Sequence, residues 1–386
     1  MNCVLLGYGT VGKSVEQLCK DHDDLNLEHI FVRPAKAAEP YLTSRGKEIV
    51  CDPQTDLVFE CLNGLEPANT LITLALKNGK HVVSSNKAVM SKYLPEYLDL
   101  AKKHGGSVQI EASVGGGIPI VDALAKLSRA EELSGMDGIL NGTSNYILDQ
   151  MECENLPFET ALELAKEKGY AEADPTNDIE GIDVWYKTLI AASLVTGCPI
   201  GDLPAPIGIS KINFSDIELA KKSERTIRHL AMIRNESGKY CAIVAPVFLP
   251  KSDFFASVHQ NYNAQQVYAP SFEKLGYYGQ GAGGLATAQA MIADALDASD
   301  HRIRPIVLDK AADLDPDLIR CDWIVRTAKG IGSEEIAALT GARVMPMYGK
   351  SSKNDGSQYL LVENASLDQA RSILKKDPDA MLGVWK

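Results

Sequence analysis

The chain opens on an apolar run, NCVLLG over residues 2–7, that passes straight into glycines 7, 9 and 12, spaced GxGxxG, and then into a helical pattern over 11–20. No other feature narrows the fold so far. The spacing alone is weak, but here a strand precedes it, a helix follows it and more strand–helix units come behind. In that setting Gly7 makes the turn, Gly9 lets backbone approach a pyrophosphate, and Gly12 lets the helix close on the strand. Thr10 then leads into a helix beginning at Val11, whose free N–H groups face the phosphates. Further strands are expected at LEHIFVR ending at Arg33, DLVFECL (56–62), HVVSS (81–85) and SVQIEASV (107–114), with helices over 67–79 and near 94–104. That alternation predicts an α/β fold, a Rossmann-type doubly wound parallel sheet with right-handed crossovers.

The end of the second strand distinguishes dinucleotides. An NAD site usually carries Asp or Glu there for the ribose hydroxyls. This chain reads FVRPAKA, with Arg33 and Lys36 and no acid. NADP is therefore expected, with Arg33 on the 2′-phosphate, and NAD is the alternative. Two exposed basic side chains on a loop are the plainer explanation.

At 386 residues two or three domains are expected. A net charge of −12 without a Lys/Arg block argues against nucleic acid as a partner. No apolar run reaches a membrane span, and MNCVLLGYG lacks the basic region of a signal peptide. Eight cysteines at 3, 19, 51, 61, 153, 198, 241 and 321 form no CxxC pair, and no metal-type spacing with the seven histidines. Reduced core thiols in a cytoplasmic protein are the default.

Beyond residue 115 the pattern changes. A Gly-rich turn feeds a helix over 115–127, and 135–151 reads as strand, polar turn and helix. A helix is expected over 157–169, and strands at 239–249 and 273–278, before the Gly-rich GQGAGGLATAQA at 279–290. From about 305 the tail reads strand, helix, strand, strand, helix, strand, the βαββαβ order of a ferredoxin-like unit. A packing or dimerisation appendage explains that order equally well.

The chemistry concentrates at GYAEADPTNDIEGIDVWYK, residues 169–187. Five carboxylates (Glu172, Asp174, Asp178, Glu180, Asp183) and one lysine lead directly into the apolar TLIAASLVTG. Asp183 and Lys187 are four apart and share one helix face. A solvated ion pair on a surface helix is the bland explanation. Charges running into a buried segment behind a dinucleotide fingerprint favour a functional one.

Six motifs in order resemble homoserine dehydrogenase over roughly residues 1–300: GYGTVG (7–12), SSNKAVM (84–90), EASVGGGIPI (111–120), GILNGTSNYIL (138–148), GYAEADPTNDIEGIDVWYK (169–187) and YGQGAGGLATA (278–288). Ala286 departs from the pattern, which usually has Pro before Thr287–Ala288. The tail is similar in topology to the regulatory ACT domains of many family members, without the Pro-Gly motif of their effector loop.

The resemblance implies hydride transfer between NAD(P) and the pair L-homoserine and L-aspartate 4-semialdehyde. Lys187 matches the proton donor. A neighbouring carboxylate favours a lysine's charged form, so Asp183 is assigned to orient Lys187 rather than to activate it. Asp178 matches the substrate end of that network, and Glu172 the residue that holds the substrate ammonium. Gly142 and Thr143 suit the substrate carboxylate. Ser85 falls in the cofactor motif, Lys87 matches a second lysine near cofactor and substrate, and Gly283 would lie near the nicotinamide end. A helix-start surface lysine is the plainer account of Lys87. EASVGGGIPI resembles the family's monovalent-cation loop, in which Glu111 and the main-chain oxygens of Val114, Gly116 and Ile118 would bind sodium. A tight turn joining two domains is the bland alternative.

The expected organisation is a dinucleotide-binding domain over 1–115, rejoined by about 283–304, a catalytic and dimerisation α+β domain over 116–282, and an ACT-like domain over 305–386. The length leaves no room for a kinase domain, so a monofunctional enzyme and a homodimer or higher homo-oligomer are expected. The resemblance also implies a place in amino-acid biosynthesis leading to threonine and methionine. Another amino-acid-linked NADP oxidoreductase is the competing enzyme class, although no cysteine lies in a nucleophile motif. A non-catalytic dinucleotide sensor would not need a base beside a substrate clamp.

Overall fold

A computed structural model describes residues 1–33, 42–328, 330–350 and 358–386. By compactness the chain divides into two units: 1–132 with 189–201 and 279–310, and 133–188 with 202–278 and 311–386. Elements are numbered here in chain order.

The first unit carries β1 (Asn2–Leu6), α1 (Thr10–Cys19), β2 (Asn26–Phe31), β3 (Leu42–Thr43), α2 (Gly46–Cys51), β4 (Leu57–Glu60), α3 (Ala68–Lys77), β5 (His81–Ser84), α4 (Lys87–His104), β6 (Ser107–Gln109) and α5 (Ile120–Leu127). Helix α11 (Gly284–Ser299) rejoins it. The sheet order is β3-β2-β1-β4-β5-β6, parallel throughout, as expected of a dinucleotide-binding sheet. Strands buried on both faces read as continuous apolar runs, and Val4, Leu5, Leu6, Val58 and Phe59 are fully buried. Each such side chain contributes about 1.5–3 kcal/mol.

Two boundaries differ from expectation. The strand expected over 107–114 ends at Gln109 and becomes a 3-10 turn at Glu111–Ser113. The Glu111 carboxylate turns back to accept the N–H groups of Val121 (2.9 Å) and Asp122 (2.7 Å) at the start of α5. The helix expected near 94–104 begins at Lys87, because Asn86 caps it by accepting the Val89 N–H. Pro95 therefore stands inside the helix rather than at its start.

The second unit carries β7 (Gly135–Ile139), α6 (Gly142–Cys153), α7 (Phe158–Glu167), α8 (Thr176–Ile179), α10 (Phe214–Lys222), β8 (Arg225–Glu236), β9 (Lys239–Pro250), β10 (Tyr262–Ala269) and β11 (Glu273–Gln280), the last ending at the unit boundary. Helix α9 (Ile182–Thr196) contributes residues up to Thr188. Strand β8 had no counterpart in the sequence reading, since the fully buried Arg228 and His229 interrupt its apolar pattern. The overlooked signal is Ser237–Gly238, both at positive φ, the two-residue hairpin joining β8 to β9. Strand β10 and helix α10 were likewise not expected.

The tail forms β12 (Asp313–Leu314), β13 (Arg320–Arg326), α12 (Ser333–Thr340), β14 (Val344–Lys350), β15 (Gln358–Ser366), α13 (Leu367–Lys376) and β16 (Met381–Trp385), giving the expected βαββαβ from β13 onward. It is not a compact unit of its own. The mixed sheet runs β11-β10-β7-β8-β9-β16-β13-β15-β14, and β16 pairs parallel with β9 at Val384–Val247 and Trp385–Phe248. One apolar core accordingly runs from Ile139 and Leu230 to Trp323, Leu360 and Val384. Buried Asp216 ties α10 to the tail through Arg326 (2.9 Å) and Tyr359 (2.8 Å).

Candidate active site

In the first unit the glycine turn has the geometry its spacing requires. Gly7 lies at φ +97°, where a Cβ would come 2.8 Å from the Cys61 carbonyl oxygen. At Gly12 a Cβ would collide with the Gly7 carbonyl, whereas at Gly9 it would meet nothing within 4 Å. That open space, beside exposed Thr10 at the start of α1 and half-buried Val11, fits a pyrophosphate on the helix N-terminus. Arg33 is exposed just past β2, and Lys36 lies outside the described residues. Gly283 is exposed at the N-cap of α11, with φ +118°. Ala286 sits in the first turn of that helix, where Pro and Ala are both accommodated.

Ser85 and Lys87, both half-buried, flank Asn86 between β5 and α4. Sequence reading missed what fixes this segment. Glu60, fully buried at the end of β4, accepts the Ser84 hydroxyl (2.6 Å), the Leu62 N–H (2.8 Å) and the Asn86 amide (3.3 Å). Burial pushes its carboxyl up to about 7, against those three hydrogen bonds.

The expected cation loop also lies in this unit. Glu111, Val114, Gly116 and Ile118 are buried, and a Cβ on Gly116 would come 2.5 Å from the Gly281 backbone. The Glu111 carboxyl is pushed up to about 7 by burial, and Asp294, which accepts the Glu111 N–H at 3.1 Å, is raised well above the usual range by burial and by Glu111. The Glu111 oxygens accept only backbone N–H groups, and an all-oxygen donor set of this kind is compatible with a hard cation.

In the second unit the acidic segment folds into a buried network. Lys187, 8% exposed, donates to Asp183 Oδ2 and to the Leu140 carbonyl, both at 2.7 Å. The surface-pair explanation is thereby overturned, because Asp183 is itself 6% exposed. Asn141 Nδ2 donates to Asp183 (2.9 Å) and to Asp178 Oδ1 (2.7 Å), joining three residues named from sequence. Asn141 itself was missed. In sequence it reads as the cap of α6, and it does accept the Ser144 N–H (2.7 Å). Two of the three Lys187 donors are thus occupied by protein oxygens.

Gly142 is required sterically, since a Cβ there would come 2.6 Å from the Asn261 carbonyl. The Thr143 hydroxyl donates to the Tyr170 carbonyl (2.6 Å), which leaves its oxygen lone pairs rather than its proton for a ligand. Glu172 does not join the network and is exposed in the turn between α7 and α8. Among the described residues no helix is long and apolar enough to cross a membrane.

Residues 7–111 match the homoserine dehydrogenase NAD-binding domain and residues 119–296 match homoserine dehydrogenase itself. The homoserine dehydrogenase of Bacillus subtilis is 34% identical over 306 residues, covering 75% of this chain and 71% of that protein. The solved homoserine dehydrogenase of Thiobacillus denitrificans superposes with a TM-score of 0.86 at 29% identity, covering 100% of this chain and 98% of that one. A hyperthermophilic archaeal homoserine dehydrogenase solved in complex with NADPH shares the fold at a TM-score of 0.67 and 24% identity, covering 79% and 99%. With a parallel nucleotide-binding sheet, a buried lysine–carboxylate network and these correspondences, the chain belongs to the homoserine dehydrogenase family of oxidoreductases.

Proposed function

We propose that the chain is an NADP-dependent, monofunctional enzyme interconverting L-homoserine and L-aspartate 4-semialdehyde, with Lys187 as general acid and base. The buried Asp178–Asn141–Asp183–Lys187 network carries this reading, because it holds one ammonium in place. In the reductive direction the aldehyde oxygen takes a proton from Lys187 Nζ. In the oxidative direction Nζ must first give its third proton to water, and the neutral amine then takes the hydroxyl proton. Asp183 fixes the Lys187 rotamer, and Asn141 links that pair to Asp178, whose carboxylate serves the substrate. Glu172 binds the substrate ammonium, and the backbone N–H groups of Gly142 and Thr143, in the first turn of α6, bind its carboxylate end. NADP supplies the hydride carrier, held by Gly7, Gly9, Thr10, Val11, Gly12, Ser85, Lys87 and Gly283, with Arg33 on the 2′-phosphate.

The absence of an acid at the end of β2 and the NADPH of the archaeal relative support NADP over NAD. The buried, raised Glu111 supports sodium bound with the Val114, Gly116 and Ile118 oxygens. The βαββαβ order from β13 supports an ACT-like tail, and eight free cysteines suit a cytoplasmic enzyme on the route to threonine and methionine. A homodimer or higher homo-oligomer follows from the family.

The test is NADP reduction with L-homoserine by wild-type and Lys187→Ala protein. Turnover by the first alone is expected, and wild type inert with NADP and NAD in sodium and potassium would overturn the reading. Arg33→Ala should raise the KM for NADP relative to that for NAD, and an unchanged ratio removes Arg33 from cofactor choice.

A further inference from the structure

Three donor types converge at the far end of α6 from Asn141. Asp149 and Cys153 lie four apart on its last turns and share one face, and His259 follows the 3-10 turn at Phe254–Ser257. His259 Nδ1 stands 2.8 Å from Asp149 Oδ1, and Cys153 Sγ 3.6 Å from the same oxygen. All three donor atoms lie within 4.8 Å of one another.

We propose that Asp149, Cys153 and His259 form a binding site for a zinc-class divalent ion. Tetrahedral zinc with ordinary bond lengths sets its N and O ligands roughly 3.3 Å apart and its O and S ligands roughly 3.5 Å apart. The oxygen–sulfur separation already fits, and the imidazole has to withdraw by only about half an ångström. The mixed N, O and S donors favour a borderline-soft ion over magnesium or calcium. Exposure of Cys153 and His259 leaves a fourth position for water.

The surroundings hold the ligands in place. Asp149 is 2% exposed, and its second oxygen accepts the Gln260 N–H at 2.9 Å. The Asn145 amide donates to the carbonyls of Val258 (3.2 Å) and Gln260 (2.9 Å), fixing the segment that presents His259. Such outer contacts orient metal ligands. Buried Arg228 lies 3.7 Å from Asp149 and 3.1 Å from Glu152. Its one positive charge against two carboxylates leaves a negative excess for an incoming cation. Binding releases the Cys153 thiol proton to solvent, forms the metal–sulfur bond, and moves the His259 proton from Nδ1 to Nε2 by exchange with water. The ion would staple the end of α6 to the 258–260 segment, and the expected readout is stability.

The experiment titrates metal-stripped, full-length protein with Co2+. A near-ultraviolet thiolate-to-cobalt band should saturate at one equivalent, and Zn2+ should displace it. Cys153→Ser should lose the band, and His259→Gln should weaken affinity by about tenfold or more. Zn2+ should raise the wild-type Tm and leave that of Cys153→Ser unchanged, with both metal-free proteins melting alike. No band at one equivalent overturns the site. So does an equal band in Cys153→Ser, which would place cobalt at another cysteine.

Discussion

Asp183 in the second unit and Glu111 in the first are both carboxylates taken almost wholly out of water, and the chain treats them oppositely. Asp183 meets a lysine at 2.7 Å and an asparagine amide at 2.9 Å. Glu111 meets backbone N–H groups at the start of α5, and its near neighbour Asp294 is another carboxylate. One centre carries its own countercharge. The other has only dipoles, and burial pushes its carboxyl up to about 7. A buried carboxylate stays charged only when paired or coordinated, and otherwise takes up a proton. The first centre is therefore fixed by the fold, and the second responds to pH.

Lys187→Ala attacks the self-paired centre and should have the largest effect. It removes the proposed proton carrier, so kcat should fall by about two orders of magnitude or more. It also strands Asp183, at a cost of about 3–5 kcal/mol. The two losses separate in a double variant. Asp183→Leu with Lys187→Met should recover most of the stability, because no buried charge is left alone, and none of the activity. Denaturant unfolding beside steady-state rates measures both. A double variant as unstable as the single would show that packing, not the ion pair, dominates there.

Glu111 tests the other side. A carboxyl whose folded pKa is raised contributes stability that is present below its ordinary value near 4.5 and is lost as pH rises through about 7. The shift bounds that loss at about 3 kcal/mol. Stability should therefore decline across this window, and Glu111→Gln should flatten the decline in part, since Asp294 titrates in the same sense. If sodium occupies the loop, then at pH 8 sodium chloride should raise the urea midpoint over equimolar choline chloride in wild type and not in Glu111→Gln. Equal midpoints in the two salts would leave Glu111 as a helix cap alone.

The two centres were not equally legible in sequence. The Asp183–Lys187 pair is local, four residues on one helix, and its burial followed from the apolar run behind it. Asn141, which completes the network, reads as an ordinary cap because capping and bridging use different atoms of one amide. Five strands of the parallel sheet were legible, since alternating periods are local, but the two-residue β3 at its edge was not. The tail elements were legible too, but the pairing of Val384 with Val247 was not, because nothing in either strand specifies a partner so far away in sequence. That pairing turns an expected separate domain into part of one sheet. Strand β8 stayed hidden because Arg228 and His229, polar in sequence, are fully buried in the fold.

Glu172 offers the smallest effect and the sharpest contrast. It is a carboxylate of the same segment as Asp183, but exposed in a turn, so the fold has no charge of its own to balance there. An exposed side chain outside any cap or ion pair contributes within about 0.5 kcal/mol to stability. If it binds the substrate ammonium, Glu172→Ala should raise the homoserine KM about tenfold, or about 1.4 kcal/mol, with kcat and Tm little changed. Glu172→Gln should give most of the same loss, because charge rather than shape recognises an ammonium. An unchanged KM in both would pass that role to Asp178 or Glu180, the half-buried acids of the same segment. Substrate recognition would then belong to partly buried charge, and the exposed end of the segment would serve only as a turn.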